Sequence, residues 1–439
     1  MQYQKCSKLS EKESSNQSLI EDLSESLLSF FTNSESINLD SLENELTPIL
    51  AKVRKRTTEK YFQSKDHDHH YCKKCGEKMG IKEKLPRKIV GLTIYEIDRR
   101  SFHCDNCDIY ERPLDDILAL SGRFSFEVRK AMLLLGQRIP FEEASDFLNK
   151  LLHVQVSDQT ILSTVESVGK MVHEEDQRII RKLLNKEGFV KKVNHERPTK
   201  KGAAYLQMDG MMVQTREQGW KEIRNGILFS ENKRMEVDKN HNWISEKTCF
   251  SIFNRNKNSL ESFKRRATVE AHNFGFDQFE KSVIIGDGAK WIWDYAGEHH
   301  PEAIQILDYF HACEYLGTAL SSIEEKKAIK EKRFDDLSDG KVNEIIEFLE
   351  RKQQTKEIAD CIRYFNNHQH MMNYKLYKDQ GLDIGSGAIE STHRTLIQSR
   401  MKQAGMHWKK KNVQSIASVK ARYHSGRWDE MANKYLKAA

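Results

Sequence analysis

The stretch Ala203-Ala-Tyr-Leu-Gln-Met-Asp-Gly-Met-Met-Val-Gln214 is an apolar run that carries one acid, Asp209. It predicts the first of three successive strands, which are followed by short buried strands and helices in alternation. The four further predicted strands are residues 223–229, 248–253, 283–285 and 304–307. Helices are predicted over residues 260–274 and from Trp291 onward. This order of elements indicates an α/β fold, a mixed sheet with helices on its faces.

Two acids occupy equivalent places in these strands. Asp209 is predicted at the end of the first strand and Asp287 after the strand over residues 283–285, and each is followed by glycine. Asp-Gly between apolar residues also marks a hairpin turn, and Asp287 would be a natural cap for the next helix. Taken together, two carboxylates at strand ends of a mixed sheet are expected to converge on one crevice that binds divalent cations.

A third acid lies in the glycine-rich turn Gly385-Ser-Gly-Ala-Ile-Glu390, which leads into a helix. A carboxylate in the first helical turn is typical of simple complementarity to the helix dipole. The functional interpretation is that Glu390 is a third metal ligand. His393 and Arg394 then follow at i+3 and i+4 on the same helical face, within reach of a bound phosphate.

Two CxxC pairs, Cys72-Lys-Lys-Cys75 and Cys104-Asp-Asn-Cys107, predict a structural zinc site. Four thiolates from two tight knuckles joined by strands would give tetrahedral ligation and fold a segment too small for its own core. A redox role for each pair is the alternative, which the strand-rich context disfavours. Four nearby histidines offer substitutes for one ligand: His67, His69, His70 and His103.

The formal net charge of +6 over 439 residues conceals a strong asymmetry. Residues 1–50 hold 3 Lys/Arg against 9 Asp/Glu, a net of −6, whereas residues 391–439 hold 11 against 2, a net of +9. The gradient favours a polyanion as the partner of the basic end, although charge runs are also typical of solvated helix faces.

No run approaches the ~20 apolar residues of a membrane span, and no apolar secretory segment follows the N-terminus, so the cytoplasm is the expected compartment.

Residues 124–180 are predicted to form three helices, with Ser157 as the N-cap of the third. A short connection before that helix is typical of a helix-turn-helix unit that binds DNA, but any three-helix bundle produces a similar pattern. A Lys/Arg/Asn-rich linker over residues 191–201 follows. Residues 314–380 are polar and helical, and they interrupt the alternation of strands and helices.

An ordered series of motifs is specific to one kind of protein. The motifs are Gln207-Met-Asp-Gly210, Gly286-Asp-Gly-Ala-Lys-Trp-Ile-Trp293, Leu307-Asp-Tyr-Phe-His311, Ile384-Gly-Ser-Gly-Ala-Ile-Glu390, Arg400-Met-Lys402, Trp408 and Gly426-Arg-Trp-Asp429. Over roughly residues 70–430 the series resembles bacterial insertion-sequence DDE transposases of the Kra type, which are related to the Mutator-like branch.

The resemblance implies an RNase H-like catalytic domain with the triad Asp209, Asp287 and Glu390. In that family a helical insertion after the second Asp divides the triad, and the separation of 103 positions (390 − 287) fits that arrangement. The resemblance also marks Asp308-x-x-His311 as a motif beside the active site. From the residues alone, a capping Asp and a satisfied polar His explain this motif about as well as a role in handling a DNA strand.

The implied activity is DNA transposition: hydrolysis of a strand at a transposon end, then attack of the freed 3′-hydroxyl on target DNA. Two Mg²⁺ or Mn²⁺ ions would assist, with Asp209 bridging them and Asp287 and Glu390 each completing one site. The zinc module and the helix-turn-helix would hold double-stranded DNA, and the basic end would contact phosphates. The expected contact residues are His311, His393, Arg394, Arg400 and Lys402.

Two other functions remain open from the sequence. One is another RNase H-like DNA nuclease, such as a junction resolvase; the other is a domesticated DNA-binding protein without catalysis. A homodimer or higher homo-oligomer and nucleoid association through DNA are expected.

The predicted segments are an acidic helical arm (1–60), a zinc-ribbon-like module (61–114), a helix-turn-helix module (115–190), a first core part (200–313), a helical insertion (314–380), and a second core part with the Glu390 helix and a basic C-terminal tail (381–439).

Overall fold

The computed structural model describes residues 21–29, 38–118, 122–191, 199–238 and 241–437. The beginning of the predicted acidic arm and most of the predicted linker therefore lie outside the described residues. Contacts divide the chain into two units. The first comprises the described residues up to Leu118 except Val90–Leu92, and the second comprises Val90–Leu92 with the described residues from 122 onward. No described helix is long and apolar enough to cross a membrane.

The first unit joins a long helix to a small sheet. Residues 21–29 are helical, and helix α1 spans Leu39–Gln63 with Asn38 as its N-cap. Three strands, in the order β1-β2-β3, form the sheet. They are β1 (Gly80–Val90), β2 (Ile94–Cys104) and β3 (Ile109–Glu111), and helix α2 (Pro113–Leu118) follows. Strand β3 pairs antiparallel with the end of β2, which brings Cys104 opposite Ile109.

Three helices open the second unit, as the sequence predicted. They are α3 (Phe126–Gly136), α4 (Phe141–Leu152) and α5 (Asp158–Leu183). Ser157 is the N-cap of α5, where its hydroxyl accepts the N–H of Thr160, so this capping prediction is confirmed. Apolar residues of the three helices, such as Val128, Leu148 and Ile161, form a shared core.

A five-stranded mixed sheet follows, in the order β10-β9-β4-β5-β8. Its strands are β4 (Lys200–Thr215), β5 (Gly219–Ser230), β8 (Lys247–Phe253), β9 (Phe279–Gly286) and β10 (Ile304–Leu307), and β6 (Arg234–Asp238) pairs with β7 (His241–Ile244) in a separate ribbon. Strands β4, β5 and β8 are antiparallel neighbours, whereas β9 is parallel to β4 and β10 is parallel to β9. The prediction of a mixed α/β sheet is confirmed.

Helices cover both faces of the sheet. Two of them, α6 (Ser259–Phe274) and α7 (Lys290–His299), pack with Leu206 and Met208 on one face. The opposite face, which carries Tyr205, packs against the polar stretch predicted as an insertion. That stretch contains α8 (Tyr309–Ser321), α9 (Lys327–Ser338), α10 (Val342–Glu350), α11 (Lys356–His368) and α12 (Tyr374–Asp379). Short 3₁₀ turns lie at Glu231–Lys233, Phe276–Gln278 and Gln369–Met371.

The C-terminal part, which includes the predicted basic tail, consists of helices. Helix α13 (Gly387–Thr392) continues through a π-helical turn at His393–Gln398 into α14 (Ser399–Met401); α15 (Lys410–His424) and α16 (Trp428–Lys437) follow. Residues 412–421 of α15 are all buried, because this helix packs between α5 and β8. The approach is so close that a Cβ at Gly169 would overlap the backbone of Ser415. Two of the basic residues in this region, Arg400 and Lys420, are buried.

Candidate functional site

The first unit holds a cluster of four cysteines. The sulfur atoms of Cys72, Cys75, Cys104 and Cys107 all lie within 4.8 Å of one another, and those of Cys75 and Cys104 are 3.5 Å apart. Four sulfurs at ~2.3 Å from one ion would be separated by about 3.8 Å. The cluster is thus close to the dimensions of a tetrahedral structural metal site such as a zinc site. Within the described residues, it is the only group of three or more His, Cys, Asp or Glu with ligand atoms this close.

Backbone geometry forms the first knuckle of this cluster. The N–H of Cys72 donates to the carbonyl of Glu77, and that of Gly76 donates to the carbonyl of Cys72. Gly76 has φ 76°, a left-handed conformation that glycine adopts without strain. A backbone hydrogen bond at Glu77 lowers the pKa of the Cys75 thiol to about 7, whereas burial raises the pKa of Cys104 and hydrogen bonding with Cys75 raises that of Cys107.

The neighbouring histidines have other partners. Nε2 of His70 lies 2.7 Å from a carboxylate oxygen of Glu111, whose second oxygen accepts the N–H of Lys73. His103 lies between Asp105 and Asp108. The pair His70–Glu111 therefore ties the first knuckle to strand β3, and among the described residues no histidine joins the cysteine cluster.

The second unit holds Asp209 and Asp287. The parallel pairing of β4 with β9 ends at Gln207 opposite Ile285, so Asp209 and Asp287 each lie two residues beyond the last paired position. Asp209 does not end β4, because the antiparallel ladder to β5 continues past it to Thr215. The hairpin-turn interpretation of Asp209-Gly210 is thus wrong: the turn lies between Thr215 and Gly219.

The two acids influence one another electrostatically. Burial and then the charge of Asp287 raise the pKa of Asp209 to about 6, while the N–H of Gly210, 2.6 Å from Oδ1, opposes this shift. Hydrogen bonds hold both the side chain and the backbone carbonyl of Asp287. Its Oδ1 accepts the N–H of Ala289, and its carbonyl accepts the indole N–H of Trp293.

Glu390 reaches this region on helix α13, but its exposed carboxylate does not form a tight ligand cluster with the two aspartates. Gln207 holds the helix in place. This side chain is only 1% exposed; its Oε1 accepts the N–H of Ile389 at 2.9 Å, and its Nε2 donates to the carbonyl of Gly385 at 3.3 Å. Strand β4 therefore carries Asp209 and also anchors the turn that leads to Glu390.

Asp308 connects three segments around the acids. Fully buried, it accepts the N–H of Phe310 at 2.7 Å and both the N–H and the hydroxyl of Ser386. Its own N–H donates to the carbonyl of Gly286, next to Asp287. Hydrogen bonds, foremost those from His311 and Ser386, lower the pKa of Asp308 despite its burial.

His311 is the cation of the site. Its Nδ1 lies 3.2 Å from Oδ2 of Asp308, and this partner raises the pKa of His311 to about 9, with a further contribution from the charge of Asp287. The imidazole is accordingly protonated at neutral pH. His393 behaves in the opposite way: burial lowers its pKa to about 4, and its Nδ1 lies 3.5 Å from Oδ2 of Asp209.

The remaining predicted contact residues have different surroundings. Arg394 and Lys402 are exposed, and Nζ of Lys402 lies 5.8 Å from the centre of the exposed Trp220 ring. Arg400 is 1% exposed; its guanidinium lies 4.5 Å from the centre of the Phe141 ring, and its Nε donates to the carbonyl of Gly136. Arg400 thus has no surface for the phosphate contact expected from the sequence, because the helices of the second unit enclose it.

Two residues of the site were not predicted from the sequence. Gln207 and Ser386 both stand inside recognised motifs, yet the motifs carry no indication of their hydrogen bonds. A buried amide two residues before an acid on a strand shares its face, and that period-two spacing was the available signal. Both residues position the turn that carries Glu390.

Comparisons place the chain in a family. No curated protein matches it. One family profile matches residues 32–434, which is most of the chain and spans both the cysteine cluster and the acids. The chain therefore belongs to the family described as Uncharacterised protein family (UPF0236).

Proposed function

We propose that this protein is a DDE-type transposase, an enzyme that cleaves DNA strands at transposon ends and joins them to target DNA with divalent metal ions. The observation that carries the proposal is the parallel pairing of β4 with β9, which ends two residues before Asp209 on one strand and two residues before Asp287 on the other. Gln207 on the same strand anchors the turn that leads to Glu390. The motif series that resembles Kra-type transposases points to the same three acids.

The sheet supports the fold that this resemblance implies. Three antiparallel strands followed by two parallel ones, with the first strand at the centre, match the order expected of an RNase H-like domain. The helices α8–α12 between Asp287 and Glu390 correspond to the expected insertion. A shared fold does not fix an activity, so the proposal depends on the acids themselves.

The donors fit hard divalent cations. Asp209 and Asp287 offer oxygen ligands, and burial together with the charge of Asp287 raises the pKa of Asp209, an effect that a bound cation would offset. Asp209 and Asp287 would hold Mg²⁺ or Mn²⁺, and Glu390 would complete the site of a second ion. Bound there, such ions supply activation of the attacking oxygen and stabilisation of the charge on the pentavalent phosphorus and the leaving oxygen.

The chain's own residues then bind and orient the strand. The imidazolium of His311, held by Asp308, offers a positive charge beside Asp287 to a phosphate oxygen. His393, whose pKa burial lowers to about 4, stays neutral beside Asp209, with Nδ1 3.5 Å from Oδ2. Exposed Arg394 and Lys402 would contact flanking phosphates of double-stranded DNA, and helices α3–α5 with the cysteine module would hold the terminal sequence. Assembly as a homodimer or higher oligomer belongs to the same proposal, because a transposon has two ends.

The test is divalent-dependent cleavage of a plasmid that carries the protein's own gene with its flanking DNA. Wild-type protein is expected to cut the flanks and form strand-transfer products in Mg²⁺ or Mn²⁺, and Asp209→Asn is expected to lose about a thousandfold in rate, ~4 kcal/mol. Asp294→Asn, on helix α7 but paired with Lys290, is the matched control and should cleave normally. Equal cleavage by Asp209→Asn would refute the triad. Cleavage of four-way junctions without strand transfer would favour a resolvase.

A further inference from the structure

Two tyrosines of the helical insertion form a stack beside Asp287. The rings of Tyr315 on α8 and Tyr364 on α11 are 3.9 Å apart between centroids, with 7° between their planes. Tyr364 in turn lies directly on Gly288: a Cβ at that glycine would overlap the Tyr364 ring. The stack therefore starts one residue after an acid of the proposed triad.

The two rings differ in exposure. Tyr364 is 9% exposed and forms the inner wall, whereas Tyr315 is 40% exposed. An aromatic ring with one covered and one accessible face is a platform on which another flat, apolar ring can stack. Every nucleobase has such a face, and stacking of this kind does not depend on base identity.

A positive charge stands one helical turn before the platform. His311 and Tyr315 are at i and i+4 on α8, so they share a face and lie ~6 Å apart between Cβ atoms. A nucleotide can span that distance with its phosphate on the imidazolium and its base on the ring. Glu314, exposed between them along the helix, would repel a phosphate at Tyr315 itself, so the phosphate belongs at His311.

We propose that Tyr315, backed by Tyr364, is a stacking site for an unpaired nucleobase of the DNA strand whose phosphate His311 binds. The inference rests on the proposed function, because it concerns the nucleotide next to the cleaved bond. It adds a substrate class: DNA with unpaired nucleotides, not a fully paired duplex, is the preferred ligand of the insertion.

The experiment compares two fluorescent probes without added Mg²⁺, a blunt duplex and the same duplex with an unpaired tail containing 2-aminopurine. Wild-type protein should bind the tailed probe about tenfold more tightly, ~1.4 kcal/mol, and quench the 2-aminopurine, since the unpaired base stacks on the Tyr315 ring. Tyr315→Phe keeps the ring and should retain both effects, whereas Tyr315→Leu should lose them. Tyr61→Leu, a change at an exposed tyrosine of helix α1, is the matched control and should behave as wild type.

Three results would overturn the stacking site: wild type with no preference for the tailed probe, no binding of either probe, or Tyr315→Leu with the wild-type preference and quenching. Thermal melting of Tyr315→Leu checks its fold, and the Phe variant tests the ring even where the Leu variant is unstable. Failure of the two proposals is separable. Tailed-probe preference that depends on Tyr315 in a protein without plasmid cleavage overturns only the transposase assignment, and cleavage with no role for Tyr315 overturns only the stacking site.

Discussion

The cysteine cluster and the acid site are built in opposite ways. All four cysteines lie within residues 72–107, and short backbone turns such as that at Gly76 form their knuckle. The three acids are spread from Asp209 to Glu390, and their places depend on strand pairing and on buried polar side chains such as Gln207. The first site is a local structure with the dimensions of a metal site, whereas the second depends on the whole sheet.

This difference determines how each site should fail. Loss of one cysteine removes the bond energy of the metal from a unit with a small core. Loss of one buried polar side chain in the second unit should leave the sheet intact. It should change only the hydrogen bonds that position the turns near the acids. Four substitutions should therefore have effects that range from loss of the cysteine site to a small displacement of a residue near the acids.

The largest effect is expected from Cys72→Ser. Purified protein should contain about one zinc per chain, and the variant should lose it together with the protease resistance of residues 72–111, since structural zinc contributes on the order of 10 kcal/mol. Elemental analysis and limited proteolysis measure both. Cys313→Ser, which lies outside the cluster, should keep the metal. A wild-type protein without zinc, in which Cys72→Ser folds normally, would contradict the site.

Asp308→Ala should destabilise the second unit by about 3–5 kcal/mol, because it leaves His311 and the donors at Phe310 and Ser386 without their acceptor. The pKa of Asp308 is lowered in the folded protein, so its stabilisation is present above its ordinary pKa of 3.8 and is lost as the pH falls below that value. Urea unfolding of wild type and variant at neutral and acidic pH should therefore converge toward low pH. A constant difference between them would assign the effect to packing alone.

The same contrast explains what the sequence could predict. CxxC spacing reports a local geometry, so the cysteine cluster followed from the sequence alone, as did the mixed sheet from apolar patterns and the capped helix from Ser157. Strand register, in contrast, depends on pairing between segments that are distant in the sequence. The sequence therefore placed Asp209 at a strand end, whereas β5 prolongs β4 to Thr215. Charge counting failed for Arg400 and Lys420 for a similar reason: both are buried by contacts that only the tertiary fold provides.

Asp209→Asn should abolish cleavage yet stabilise the fold. The folded-state pKa of about 6 exceeds the ordinary value of 3.8, so wild-type stability is complete at low pH and declines as the pH rises through 4 to 6. Because Asp209 is 32% exposed, we expect a gain of about 1–2 kcal/mol for the variant above pH 7 and none near pH 4. Chemical denaturation across this pH range without Mg²⁺ measures it. A variant less stable than wild type at neutral pH would show that the carboxylates do not repel.

The smallest change in stability is expected from Gln207→Met, which removes the connection between β4 and the turn that leads to Glu390. The cost should be about 1 kcal/mol, because the N–H of Ile389 keeps a second acceptor, the carbonyl of Ser386 at 3.0 Å. Cleavage should nevertheless fall by about tenfold or more, since small displacements of a reacting group are costly. Gln414→Met is the matched control: this buried amide joins α15 to β8, donating to Ser251 and accepting from Phe253. It should lose similar stability in urea and retain cleavage. Equal losses of cleavage in both variants would mean that Gln207 supports the fold in general and does not position Glu390.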